Sequence, residues 1–304
     1  MIKKINLDDY KENIKIERNK IFDQPYELVY RNFIKLKYDT MEKQYFKENA
    51  SHIVEKLRSS CWNEFIPTEK KFTTDMLKTL IDEEYVNTLN STEAITWFAE
   101  EFPEHIYALT LSNTQSRRSR AGKEFEAIIE LVLIGAGIPL DSQGNIGKQE
   151  FLKKGLGKMV DVVSPGVIEY IINKRNAVLI SAKTTLRERW QEVPEEMGRT
   201  GAREMFLATL DENISKEVLD TLYEANIQVT TTKRVKESKY KDNNRVLSFE
   251  DLIGICLSNV EKWKDFNYTI EQEESIKSMI NKQIDKHQEH NFVKEFYEKR
   301  LKNN

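Results

Sequence analysis

The sequence predicts an α/β fold, a mixed sheet of about five strands flanked by helices, with an additional helical N-terminal region. Three observations carry that expectation. Through residues 1–100 apolar side chains recur at helical spacing. After Asn113 the texture changes, and a basic, polar stretch runs into the apolar segment 125–134. Beyond it, short β-branched runs alternate with helical segments as far as Thr232.

Tyr26, Val29, Phe33, Leu36 and Lys37 form a helical stripe, and 52–62 and 75–89 read the same way. Residues 1–112 are therefore expected to be a helical region packed on a core made by 113–304. Residues 116–134 read as one helix, stopped by Gly135 and Gly137 before Pro139. Residues 144–157 read as a loop containing glycine and lysine. Residues 159–163, 167–172 and 177–183 read as strands, with a turn at 173–176 between the last two. Residues 186–193 read as a helix broken near Pro194, and 204–210 as a central strand. A helix at 216–225 and a strand at 227–232 follow. Ser248 reads as a helix N-cap with Glu250 and Asp251 in the first turn. Residues 271–301 read as one charged helix with Ile276, Ile280 and Ile284 on one face.

With 304 residues, 39% hydrophobic and 32% charged, the chain is long enough to bury a sizeable core under a well-solvated surface. The net charge of −3 argues mildly against a nucleic-acid partner, yet a positive cleft can be balanced by an acidic exterior. Cys61 and Cys256 are the only cysteines and make neither a disulfide framework nor a CxxC knuckle, which fits a reducing cytoplasm. The N-terminus lacks an apolar signal core, and no stretch has bilayer-spanning length, so a cytoplasmic protein without a membrane partner is expected. Trp97 and Trp263 read as core or interface residues. His287 and His290 have no third ligand in view and read as exposed helix residues. Gly155-Leu156-Gly157-Lys158 does not sit between a strand and a helix, which argues against a nucleotide-binding loop.

The chemistry concentrates in Asp161, Ser181, Lys183 and Glu196. Ser181 and Lys183 share one face of their strand because side chains alternate. A hairpin can bring Asp161 beside Lys183, and the returning helix can bring Glu196 to the same edge. Phosphodiester hydrolysis needs such a set. Two carboxylates hold Mg²⁺, a hard cation that prefers oxygen, and a lysine places water and stabilises charge developing on phosphorus.

This pattern resembles the PD-(D/E)xK nuclease superfamily, in the variant whose second acid has moved. Ser181 stands where that acid usually lies, in Ser181-Ala182-Lys183, and Glu196 replaces it from the following helix. The string from Ser181 to Trp190 (SAKTTLRERW) resembles the CCGG-type group of type II restriction endonucleases, in the branch of SsoII, PspGI and EcoRII. The likeness is clear over residues 115–253. It implies a restriction-endonuclease-like core, Mg²⁺ as cofactor, and Asp161, Glu196 and the Ala182 carbonyl as metal ligands. It also implies that Glu126 joins from the preceding helix, ordering water or serving a second metal.

Arg187, Glu188 and Arg189 follow the lysine directly. Arginine donates two bonds to guanine and glutamate accepts from cytosine amino groups, so one subunit can read a CC/GG half-site and a homodimer a palindrome. The partner is then double-stranded DNA. A cognate methyltransferase acts on the same site without needing to bind the protein. Arginines and lysines at 116–123 and 148–158 are candidate phosphate contacts, though solvated charge is the commoner reading. Arg58 and Trp62 lie i, i+4 on one helix face, and the resemblance suggests that they wall a pocket for an extruded central base, with Gln115 filling the gap, giving a CCNGG site. The rival readings are a structure-specific repair nuclease and a catalytically silent DNA-binding regulator.

Overall fold

The computed structural model describes residues 5–186 and 189–303. Its six strands form one sheet in sequence order: β1 (Asp141–Ser142), β2 (Val162–Ser164), β3 (Val178–Lys183), β4 (Met205–Thr209), β5 (Ile227–Thr231) and β6 (Val246–Ser248). β1, β2 and β3 pair antiparallel, and β3 through β6 pair parallel. The parallel crossovers carry the helices Glu192–Thr200, Lys216–Glu224 and Lys233–Lys239. All of β4, and β3 up to Ala182, are buried, as parallel strands covered on both faces must be. That is why β3 and β4 read as near-continuous apolar runs. β1 and β6, two and three residues long, are too short to show any period in the sequence.

The chain divides into two compact units, one built from residues up to Leu28 with Ser59–Lys123, the other from Val29–Arg58 with Glu124 onward. The first unit is helical. Phe22 packs on Phe65 and Phe72, with the Arg18 guanidinium 4.5 Å from the Phe72 ring. The second unit holds the sheet, whose core includes Phe151, Tyr170, Leu179, Leu207, Leu222 and Val229. No helix among the described residues is long and apolar enough to cross a membrane.

Several local expectations need correction. Val167–Ile172 is a helix rather than a strand. A six-residue apolar run has no decisive period, and here the Asp141 carboxylate accepts the Val167 N–H at 2.7 Å, satisfying a donor of the first turn. β2 and β3 are therefore antiparallel neighbours joined through that helix and a 3-10 turn at Lys174–Asn176, rather than through a tight hairpin. The expected loop over 144–157 contains the helices Gln143–Ile146 and Lys148–Lys153. Pro194 does not break a helix; it sits in the first turn of Glu192–Thr200, where its missing N–H would have had no intrahelical acceptor. Residues 75–89 are not one helix, because the long Lys43–Lys78 helix ends and Asp82 caps the short Glu83–Val86. The expected C-terminal helix is two, Ile270–Lys286 and Asn291–Asn303. At the break His287 and His290 are buried, not exposed, with their Nδ1 atoms 3.0 Å apart and His290 packed edge-on to Tyr30. The Pro103–Gly135 helix does stop where expected, with Gly137 at φ 78° and the Ile138 N–H returning to the Leu133 carbonyl.

Candidate active site

Asp161 lies one residue ahead of β2 and extends its ladder, donating its N–H to the Ile180 carbonyl at 2.9 Å. That register sets its side chain against the end of β3. Oδ2 accepts from the Ala182 N–H at 2.7 Å and from Lys183 Nζ at 3.0 Å. Lys183 Nζ also donates to the Ala182 carbonyl at 3.1 Å. The Lys183 and Asp161 side chains keep only 11% and 10% of their exposure. Burial lifts the Asp161 carboxyl above its ordinary range, against the opposing pull of the Lys183 ammonium and the Ala182 N–H.

Glu196 comes from the Glu192–Thr200 helix, whose buried face is Val193, Glu196, Met197 and Thr200. Its place on that stripe presses the carboxylate against the loop that leads into Asp161. Oε2 accepts the Lys158 N–H at 2.7 Å and Oε1 lies 3.3 Å from Arg199 Nη1. The Tyr170 hydroxyl ties the two segments together, contacting the Thr200 carbonyl at 2.6 Å and the Gly155 carbonyl at 3.0 Å. Burial pushes that hydroxyl up to about 12. Asp161 and Glu196 thus converge on one five-residue stretch, 157–161.

The donor set suits a magnesium ion. It is all oxygen, both carboxylates are buried, and among the described residues Asp161 Oδ1 accepts no hydrogen bond. Among the described residues no three carboxylate, imidazole or thiol side chains gather around one point. An open site of this kind, two carboxylates and a carbonyl with water completing the shell, is what magnesium ordinarily takes. Glu126 is half-buried in the Pro103–Gly135 helix and does not close such a cluster with Asp161 and Glu196. Ser181 is wholly buried, and its hydroxyl finds no partner among the described residues.

The reading segment is only partly described. Arg187 and Glu188 lie outside the described residues, and Arg189 opens a 3-10 turn. The segment's start is anchored, because the Leu186 N–H donates to Asp211 Oδ2 at 3.0 Å. Arg58 pairs with the buried Glu124 at 2.6 Å. Trp62, 40% exposed, stacks near Phe65, with the Arg117 guanidinium 5.8 Å from its ring. Gln115 is exposed on its helix. Within the basic cluster Arg117 is held by the buried Glu69, and Arg120 donates to the Asp23 carbonyl. Both side chains are engaged inside their own unit rather than standing as solvated charge.

Sequence reasoning missed Arg199, Tyr170, Asp211 and Glu124, and took Lys158 only as a candidate phosphate contact rather than as a backbone donor to Glu196. Their roles use backbone groups or contacts over 25 to 66 positions, except Arg199, three residues from Glu196.

Residues 83–253 match the family described as EcoRII C terminal. Over 300 residues the chain is 52% identical to the type II restriction enzyme SsoII of Shigella sonnei, covering 99% of this chain and 98% of that protein. Metal-depleted Ecl18kI in complex with uncleaved DNA superposes with a TM-score of 0.93 and 51% identity, over 98% of this chain and all of the other. Restriction endonuclease PspGI in a substrate DNA complex shares the fold alone, at a TM-score of 0.57 and 18% identity over 79% of this chain and 94% of that one.

Proposed function

The chain belongs to the type II restriction endonucleases with an EcoRII C-terminal domain and is a site-specific deoxyribonuclease; from that premise we propose a Mg²⁺-dependent cytoplasmic homodimer that cuts both DNA strands at a CCNGG palindrome and leaves 5′-phosphate ends. The observation that supports the reading most is Asp161 Oδ2 accepting from both the Ala182 N–H and Lys183 Nζ, with Glu196 held on the same loop. Asp161, Glu196 and the Ala182 carbonyl would hold the metal. When bound, Mg²⁺ supplies positive charge beside the attacked phosphate and lowers the pKa of a water.

The protein's own groups do the rest. Lys183, already confined between Asp161 and the Ala182 carbonyl, presents a fixed ammonium to charge developing on the phosphate. Glu126 orders the attacking water. Arg187 and Arg189 each take a guanine, Glu188 takes the two cytosines, and the two-fold partner repeats the set on the other half-site. Residues 1–112 add DNA contacts, Arg58 and Trp62 each offering a plane to an extruded central base, and Gln115 fills the duplex. A methyltransferase protects the same sequence in the host.

Digestion of a plasmid of known sequence with Mg²⁺ tests this. The expected result is discrete fragments whose ends map to CCNGG and ligate without prior phosphorylation. Smears, or preference for branched DNA, would overturn it in favour of a structure-specific nuclease.

A further inference from the structure

We infer that Gly157 is a positioning residue for cleavage: its missing side chain is what lets the Glu196 carboxylate dock on the loop that leads into Asp161. The inference rests on the proposed role of Glu196 as a working carboxylate.

A Cβ placed on Gly157 would lie 2.1 Å from Glu196 Oε2 and 3.2 Å from Cδ. No real contact is that short, so one side must give way. The loop is poorly able to do so. Leu156 is buried, the Tyr170 hydroxyl holds the Gly155 carbonyl, and the Val160 N–H returns to the Gly157 carbonyl at 3.3 Å. The Glu196 helix is tied to the same hydroxyl through Thr200. The carboxylate, by contrast, can rotate about its own side-chain bonds. It would then leave the Lys158 N–H, its only backbone donor among the described residues.

The glycine's use here is close approach rather than backbone conformation. Gly155, two residues earlier, shows the other use: it has φ 78° and nothing within 4 Å of a Cβ. Gly157 has no left-handed φ, so alanine fits its backbone. The substitution should therefore cost the fold little and the site much. Displacement by an ångström is enough to cost on the order of a hundredfold in rate.

The test compares Gly157→Ala, Glu196→Asp, their combination, Glu196→Ala and Gly198→Ala. Gly198 lies in the Glu196 helix with nothing within 4 Å of its Cβ and serves as the control. Aspartate withdraws the carboxylate by about 1.5 Å. The readouts are cleavage rate against Mg²⁺ concentration, Ca²⁺-supported binding of a CCNGG duplex, and metal-free melting temperature. Gly157→Ala should raise the half-saturating Mg²⁺ about ten- to a hundredfold, the usual effect of losing a group that orients a ligand. It should weaken Ca²⁺-supported binding and leave the melting temperature and the Gly198→Ala control as in wild type. The combination should cut faster than Gly157→Ala alone. Wild-type Mg²⁺ dependence in Gly157→Ala, while Glu196→Ala is inactive, would overturn the role of Gly157. A loss that Glu196→Asp fails to relieve would overturn it as well. Normal cleavage by Glu196→Ala would remove the role of Glu196 and the inference with it.

Discussion

Replacing Lys183 with methionine keeps most of the aliphatic stem and removes the charge. Asp161 is then left buried with the Ala182 N–H but without the ammonium 3.0 Å from Oδ2. At that separation and an effective dielectric of about 20 the lost attraction is about 5.5 kcal/mol. The net loss is smaller, because the pair was desolvated to form. Chemistry also caps it. The orphaned carboxyl can take up a proton, which from a reference pKa of about 3.9 costs about 4 kcal/mol at pH 7 and about 1.5 kcal/mol at pH 5. Burial already raises the Asp161 pKa, and removing Lys183 takes away its largest opposing influence. A carboxyl whose folded pKa lies above its unfolded value favours folding below the unfolded pKa, and that contribution is lost as pH rises through the folded pKa. The variant should therefore lie within about 1.5 kcal/mol of wild type at pH 5 and fall about 3–4 kcal/mol below it at pH 7. Urea unfolding of both metal-free proteins, at one protein concentration and at each pH, measures this. A deficit of equal size at both pH values would refute the reasoning and make the loss one of packing.

Asp161→Ala, Lys183→Ala and Glu196→Ala should each abolish Mg²⁺-dependent cleavage while metal-free gel-shift binding of the cognate duplex survives; near wild-type cutting by Glu196→Ala would rule out the displaced acid. Arg187→Ala and Arg189→Ala should each lose about 1–3 kcal/mol of discrimination at a guanine, read as the ratio of cognate to non-cognate binding at fixed salt; equal loss on every sequence would instead make them phosphate contacts. With 2-aminopurine at the central position, fluorescence should rise when wild-type protein binds in Ca²⁺, and Trp62→Ala should alter that signal; no rise with wild type would leave Trp62 as a packing residue.

The parts legible in the sequence are those whose information is local. The β-branched runs that became β3, β4 and β5 announced themselves, because strands buried on both faces must be apolar throughout. Gly137 marked a helix end because its conformation is written in its residue type. Asp161, Lys183 and Glu196 were picked out together by the Ser181-Ala182-Lys183 spacing and by the resemblance of the string that follows it to a nuclease family, with oxygen ligands and a cation being what phosphodiester hydrolysis demands. What the tertiary structure alone decided depends on atoms distant along the chain. Val167–Ile172 is helical because Asp141 accepts its first N–H across 26 positions, where local propensity favoured a strand. His287 and His290 are buried because a break in the final helix turns them against each other and Tyr30. Glu196 reaches the Asp161 loop only where Gly157 offers no Cβ, a steric fact invisible until two segments 39 residues apart are folded together. Residue types and spacing name the chemical groups a reaction needs; which of them touch is decided by packing, which has no period to read.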